Sequence, residues 1–127
     1  MINIEYLAII PARGNSKRIK NKNLIKFKKK TLVEHTLSEI KDIKKIDLIA
    51  LTSDSKKILK IGKKFKKCMN INRPANISNS NSSTEDAISH TINLLENIQY
   101  KIKNIILLQV TSPLRSKKDI INCIKKF

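Results

Sequence analysis

The sequence predicts an α/β fold, a mostly parallel sheet with helices on both faces. Short apolar runs of the Ala8-Ile9-Ile10 and Ile105-Ile106-Leu107-Leu108 kind read as buried strands. They alternate with stretches of helical periodicity, giving the order strand, helix, strand, helix, strand, helix, strand, helix. That alternation argues for βαβ units with right-handed crossovers.

The first strand is expected at about Tyr6 to Ile10, ending at Pro11, which cannot donate to a ladder. Residues 12–30 read as a long basic loop with a short extended piece at Leu24-Ile25-Lys26-Phe27. A loop longer than about 12–15 residues is usually functional or disordered, and one that follows a buried strand points to function. Thr31-x-x-Glu34 is a capping box, and Leu32, Val33, Leu37 and Ile40 continue it as a helix to about Ile43. Asp47 to Thr52 is a second strand, and Thr52-Ser53-Asp54-Ser55 is a helix N-cap cluster; Asp54, at a strand end, is open to holding a metal, with N-capping the simpler job. The helix after it carries Ile58, Leu59, Ile61 and Phe65, with Gly62 inside it. Lys67 to Ile71 is a weaker third strand, followed by Asn72-Arg73-Pro74 and a loop rich in Asn and Ser up to Ser83. Ser82-x-x-Glu85 and Ser83-x-x-Asp86 both suit the start of a helix whose inward face is Ala87, Ile88, Thr91, Ile92, Leu95 and Ile98. Asn104 to Gln109 is the fourth strand, and Ser116-x-x-Asp119 opens a last helix with Ile120, Ile121, Ile124 and Phe127 inward.

A chain of 127 residues is one domain by size, and a 40% hydrophobic content with 4% aromatics means a core of Ile and Leu. Lys+Arg 27 against Asp+Glu 10 gives a net charge of +17, a field that favours anionic partners. The lysines are spread along the chain, which reads as solvated helix faces and loops, and few aromatics are present for base stacking. Both points argue against a nucleic-acid-binding module, the reading from another class that the charge would otherwise favour. Cys68 and Cys123 show no metal-ligand spacing and fit buried thiols in a reducing cytoplasm. No signal peptide is visible, and no segment has the length needed to span a bilayer.

In a parallel sheet the loops after the strands emerge on one edge, where open α/β sheets bind ligands. Arg13, Lys17, Lys22, Arg73, Ser83, Thr84, Gln109, Thr111, Ser112 and Arg115 can therefore converge. Fixed cations, small residues and backbone N–H groups are what a polyphosphate needs. Taken singly, each motif also has an ordinary reading. Arg13-Gly14-x-Ser16-Lys17 suits a basic turn, Arg73-Pro74 a turn with a surface arginine, and Thr111 to Arg115 a loop closing a helix N-terminus. His35 and His90 fall within helices as fillers, and no Ser-His-Asp or Cys-His arrangement is supported.

Taken together, Ala12-Arg13-Gly14-Asn15-Ser16-Lys17-Arg18 with Lys22-Asn23, then Thr52-Ser53-Asp54, Arg73-Pro74, and Gln109-Val110-Thr111-Ser112-Pro113-Leu114-Arg115 occur in one order at fitting separations. This set resembles the N-terminal part of the acylneuraminate cytidylyltransferases, the CMP-sialic acid synthetases and their relatives. The resemblance implies a Rossmann-like fold of the nucleotide-diphospho-sugar transferase type. It implies CTP and a nonulosonic acid such as N-acetylneuraminate as substrates, with transfer of CMP and release of pyrophosphate; a related keto acid (pseudaminic, legionaminic or Kdo) is the alternative. By matching positions, Arg13 and Lys17 would hold the triphosphate and Lys22 would stabilise charge near the α-phosphate, so that Arg13 and Lys22 are the catalytic pair. Asn23 would touch the nucleotide. Arg73 would lie at the cytosine, with Ser83 and Thr84 beside it. Gln109 would face the acceptor sugar, and Thr111, Ser112 and Arg115 would shape that floor. Arg18 is left as surface charge.

The pattern is departed from at Val110, where the family usually has proline, at Asn15 and Lys20, and in the stretch after Pro74, which lacks an acidic residue. The resemblance further implies magnesium, a homodimer in the full-length family, and a later segment carrying an Asp-x-Asp pair for the metal. Residues 1–127 hold no such pair, so a nucleotide-binding domain incomplete at its C-terminus is expected, with turnover needing the later segment. A truncated, inactive fragment is the remaining alternative. A sheet of four strands should also leave an edge exposed.

Overall fold

Among the described residues the main sheet has four strands, in the order Cys68–Asn72 (β5), Leu48–Ser53 (β4), Ile2–Pro11 (β1) and Tyr100–Leu107 (β6). This computed structural model describes residues 1–13, 24, 26–73, 84–110, 121 and 124. All three ladders are parallel, with Ile9 beside Ala50 on one side and beside Leu107 on the other. The helices are Leu32–Ile40 (α1), Lys56–Gly62 (α2) and Thr84–Asn97 (α3). A small antiparallel pair, Lys26–Phe27 (β2) and Lys30–Thr31 (β3), precedes α1.

The helices cover both faces of the sheet, which is why β1 is apolar on consecutive residues rather than alternate ones. Tyr6, Ala8 and Ile10 pack with Val33, Leu37 and Ile40 of α1 and with Ile58 and Ile61 of α2. Leu7, Ile9, Ala50 and Ile71 pack on the other side with Leu95 of α3. Burying each such Ile or Leu contributes about 1.5–3 kcal/mol. Of the expected last helix, Ile121 and Ile124 are helical and join the first cluster; the rest lies outside the described residues. Among the described residues no helix is long and apolar enough to cross a membrane.

Several boundaries differ from expectation, each for a local reason. Strand β1 begins at Ile2 and β6 at Tyr100, because each supplies the other's partners, from Ile2 beside Tyr100 upward. Helix α1 stops at Ile40. Ile43 and Ile46 stay buried, but in tight turns whose carbonyls both accept from Lys67 Nζ, at 2.7 and 2.8 Å. The apolar spacing thus outlasts the helix. Gly62 is the last residue of α2, and Phe65 lies in the turn beyond it. Ile98 is 55% exposed, since α3 ends at Asn97 and Gln99 follows with φ of 71°. Strand β2 falls in the expected extended piece, but its pairing with β3 as a hairpin was not expected. The hairpin's turn residues are Lys28 and Lys29, at φ of 51° and 71°, where Asn or Gly would have signalled it. Strand β6 is an edge among the described residues, with Ile105 41% and Leu107 39% exposed.

The capping box forms as expected. Glu34 N donates to Thr31 Oγ1 at 3.1 Å, and Thr31 N donates to Glu34 Oε1 at 3.2 Å. The Thr31 backbone N–H holds the Glu34 carboxyl below its ordinary value. The native carboxyl thus titrates below the unfolded one, so this contribution is present above about pH 4.5 and is lost as pH falls through the lowered value. Thr31→Ala should cost about 1 kcal/mol in urea unfolding at neutral pH.

Candidate functional site

The carboxyl ends of β1, β4, β5 and β6 share one edge of the sheet because every ladder is parallel. The chain moves outward from β1 to β4 to β5, then returns across to β6 on the far side of β1. The direction of winding therefore reverses between β1 and β6, and such a switch point opens a crevice at the carboxyl edge. Arg13 continues β1 there. Gln109 continues β6, two residues after Leu107, and Leu108 N still donates to Ile9 O at 3.0 Å. Thr84 opens α3, as expected.

Arg73 follows β5 on the same edge, and only 4% of it is exposed. This overturns the reading of Arg73-Pro74 as a turn with a surface arginine. Its backbone N–H donates to Ser53 O at 2.9 Å, so the ladder holds it in register with the end of β4. Burial pushes the Arg73 guanidinium below its ordinary value, the Asp54 carboxylate opposes that, and the like charge of Arg13 adds to it. The group stays charged even so. A desolvated, permanently charged, planar donor is a recognition element for an acceptor-rich ligand.

Asp54, which motif reading gave to capping ahead of a metal, stands instead beside Arg73. Ser55, not Asp54, caps α2, accepting from Ile58 N at 3.4 Å. Asp54 is exposed and acts electrostatically on Arg73. The signal that finds it is strand register rather than composition. Beneath it, fully buried Thr52 Oγ1 has no hydrogen-bond partner among the described residues.

Of the other expected site residues, Lys17, Lys22, Asn23, Ser83, Thr111, Ser112 and Arg115 lie outside the described residues. Magnesium has no ready set of ligands here: among the described residues no three His, Cys, Asp or Glu side chains come together. Asp54 does not fit that task, because its carboxylate already acts on the Arg73 guanidinium. Cys68 is no nucleophile. Burial pushes its thiol up to about 11 from 9.0, so the neutral form prevails at physiological pH. In a Cys123→Ser background, alkylation of the folded chain by iodoacetamide at pH 8 should be slow and become rapid in urea. The native thiol keeps its proton longer than the unfolded one, so stability should decline between pH 9.0 and about 11.

A family model described as cytidylyltransferase matches residues 7–127. The chain belongs to the cytidylyltransferase family. Among cytidylyltransferases of known activity, it is 31% identical over 124 residues to a pseudaminic acid cytidylyltransferase of Campylobacter jejuni subsp. jejuni serotype O:23/36 (strain 81-176). That alignment covers 98% of this chain and 53% of the relative. It is 27% identical over 123 residues to the N-acylneuraminate cytidylyltransferase of Escherichia coli O18:K1:H7 (strain RS218 / NMEC), covering 97% of this chain and 28% of the relative. The chain thus spans about half, or less, of these relatives' length. A solved CMP:2-keto-3-deoxy-manno-octonic acid synthetase, complexed with CTP, superposes with a TM-score of 0.68 at 17% identity, over 96% of this chain and 46% of that one. The cytidylyltransferase fold expected from the sequence is the one observed: a parallel sheet with helices on both faces.

Proposed function

We propose that this chain binds CTP at the carboxyl edge of its sheet, as the nucleotide-binding domain of an enzyme that transfers CMP to a nonulosonic acid and releases pyrophosphate. The observation that carries the reading is buried Arg73 beside Arg13 on the edge that holds the switch point. Membership of the cytidylyltransferase family and the matched relatives support it.

In this reading Arg13, with Lys17 and Lys22, neutralises the triphosphate, and Arg73 supplies planar donors to the cytosine. Asn23, Ser83 and Thr84 complete the nucleotide contacts. Gln109, Thr111, Ser112 and Arg115 face the acceptor. The anomeric hydroxyl attacks the α-phosphorus, and the electrostatic task is to stabilise charge on the transferring phosphate and the leaving pyrophosphate. Positive charge fixed on a rigid sheet edge does this with little reorganisation. The enzyme works in the cytoplasm as a homodimer. N-acetylneuraminate is the acceptor proposed first, with pseudaminic acid next to it.

Calorimetric titration of the 127-residue chain with CTP and, separately, ATP tests the proposal. Saturable CTP binding at least tenfold tighter than ATP supports it. Equal binding of the two, or none, overturns it.

A further inference from the structure

Strand register sets three charged residues from distant parts of the sequence in one row. The β1–β4 ladder pairs Pro11 with Thr52, and Ala12 N donates to Thr52 O at 2.9 Å. Carried on by the same register, Ala12 stands beside Ser53 and Arg13 beside Asp54. The β4–β5 ladder pairs Ser53 with Asn72, and Arg73 N donates to Ser53 O at 2.9 Å. The same continuation sets Arg73 beside Asp54 on its other side. The row across the edge is therefore Arg13, Asp54, Arg73: cation, anion, cation just past the ends of three adjacent strands. The charge effects at Arg73 agree, since both Asp54 and Arg13 act on it.

Two guanidiniums on either side of β4 repel, and one of them is 4% exposed. Water cannot screen that repulsion as it would at an open surface. A carboxylate between them relieves it and restricts both side chains. Leaving a buried charge without its counter-charge is strongly destabilising.

We propose that Asp54 is a positioning residue that holds Arg13 and Arg73 side by side in the geometry that receives the nucleotide. The nucleotide part rests on the function proposed above; the row itself does not. A rival role is that Asp54 competes with the ligand's phosphates for the arginines. The two differ in sign. Positioning predicts that Asp54→Asn weakens CTP binding, and competition predicts that it tightens it.

The test uses the whole chain and two readouts, the thermal midpoint without ligand and the Kd for CTP. Asp54→Asn should lower the midpoint by about 4 °C and weaken CTP binding about tenfold. Asp54→Glu, which keeps the charge, should stay within threefold of the parent in Kd. Adding Arg13→Gln to Asp54→Asn should recover the midpoint, because it removes one of the two repelling charges. It should also restore folding if Asp54→Asn alone does not fold. A loop or helix-cap role for Asp54 would give no such recovery. An unchanged midpoint in Asp54→Asn, tighter CTP binding, or no recovery in the double variant overturns the proposal. The midpoints need no nucleotide, so they decide the row even if the parent chain fails to bind CTP.

Discussion

Arg73→Ala should lose about a hundredfold in CTP affinity, roughly 2.7 kcal/mol, while retaining the parent circular-dichroism spectrum. The size follows from burial. Hydrogen bonds from a charged donor contribute about 1.5–3 kcal/mol each when truncation leaves the partner unsatisfied, and this guanidinium is 4% exposed. An exposed lysine removed from the same edge would cost far less, because water and salt already screen it. Arg73→Lys should fare little better than alanine, since an ammonium lacks the planar fork. A folded Arg73→Ala variant with unchanged CTP affinity would remove Arg73 from the site and leave Arg13 as its described cation.

Gly62→Ala should destabilise the chain by about 2 kcal/mol, against the usual rule for helices. Alanine is favoured over glycine by about 1 kcal/mol within an exposed helix. Here the last residue of α2 lies over the sheet. A Cβ would stand 2.8 Å from Leu51 Cδ2 and would collide with Asn70 Oδ1. Asn70 cannot move aside freely, because its Nδ2 donates to Leu59 O at 2.6 Å. Thermal unfolding of Gly62→Ala should show a midpoint roughly 8 °C lower. Asn70→Ala in the same background should return part of it. A midpoint equal to or above the parent's would show that β5 gives way at no cost.

The fold was legible because periodicity and capping reflect local forces. The alternation of runs gave the sheet and its helices, and Thr31 to Glu34 gave the start of α1. What failed was decided by tertiary context. Ile43 and Ile46 keep the apolar rhythm in turns held by Lys67, which comes more than twenty residues later. The Lys28-Lys29 turn has the left-handed backbone without the residues that announce it. The positions of Arg13, Arg73 and Gln109 past the strand ends, and of Thr84 at the start of α3, followed from the alternation of parallel strands and helices. Burial of Arg73 could not be read from the dipeptide Arg-Pro, which looks the same in a surface turn. The place of Asp54 between two arginines was not legible because those arginines lie 41 positions before it and 19 after it in the sequence; only the two ladders connect them.

Arg73 follows directly on β5, the outermost strand at one end of the sheet among the described residues. Strands at a border are the first to fray, opening at a free energy below that of global unfolding. Each such opening would carry a cation out of the row and empty the site for its duration. A bound anion reaching from Arg13 to Arg73 would bind only the closed state and so tie the border strand to β1. Amide protons of residues 69–72 should then exchange with solvent more slowly when CTP is present, while those in the middle of β1 change little. Occupancy of the site and integrity of the border strand would thus be one equilibrium seen from two ends.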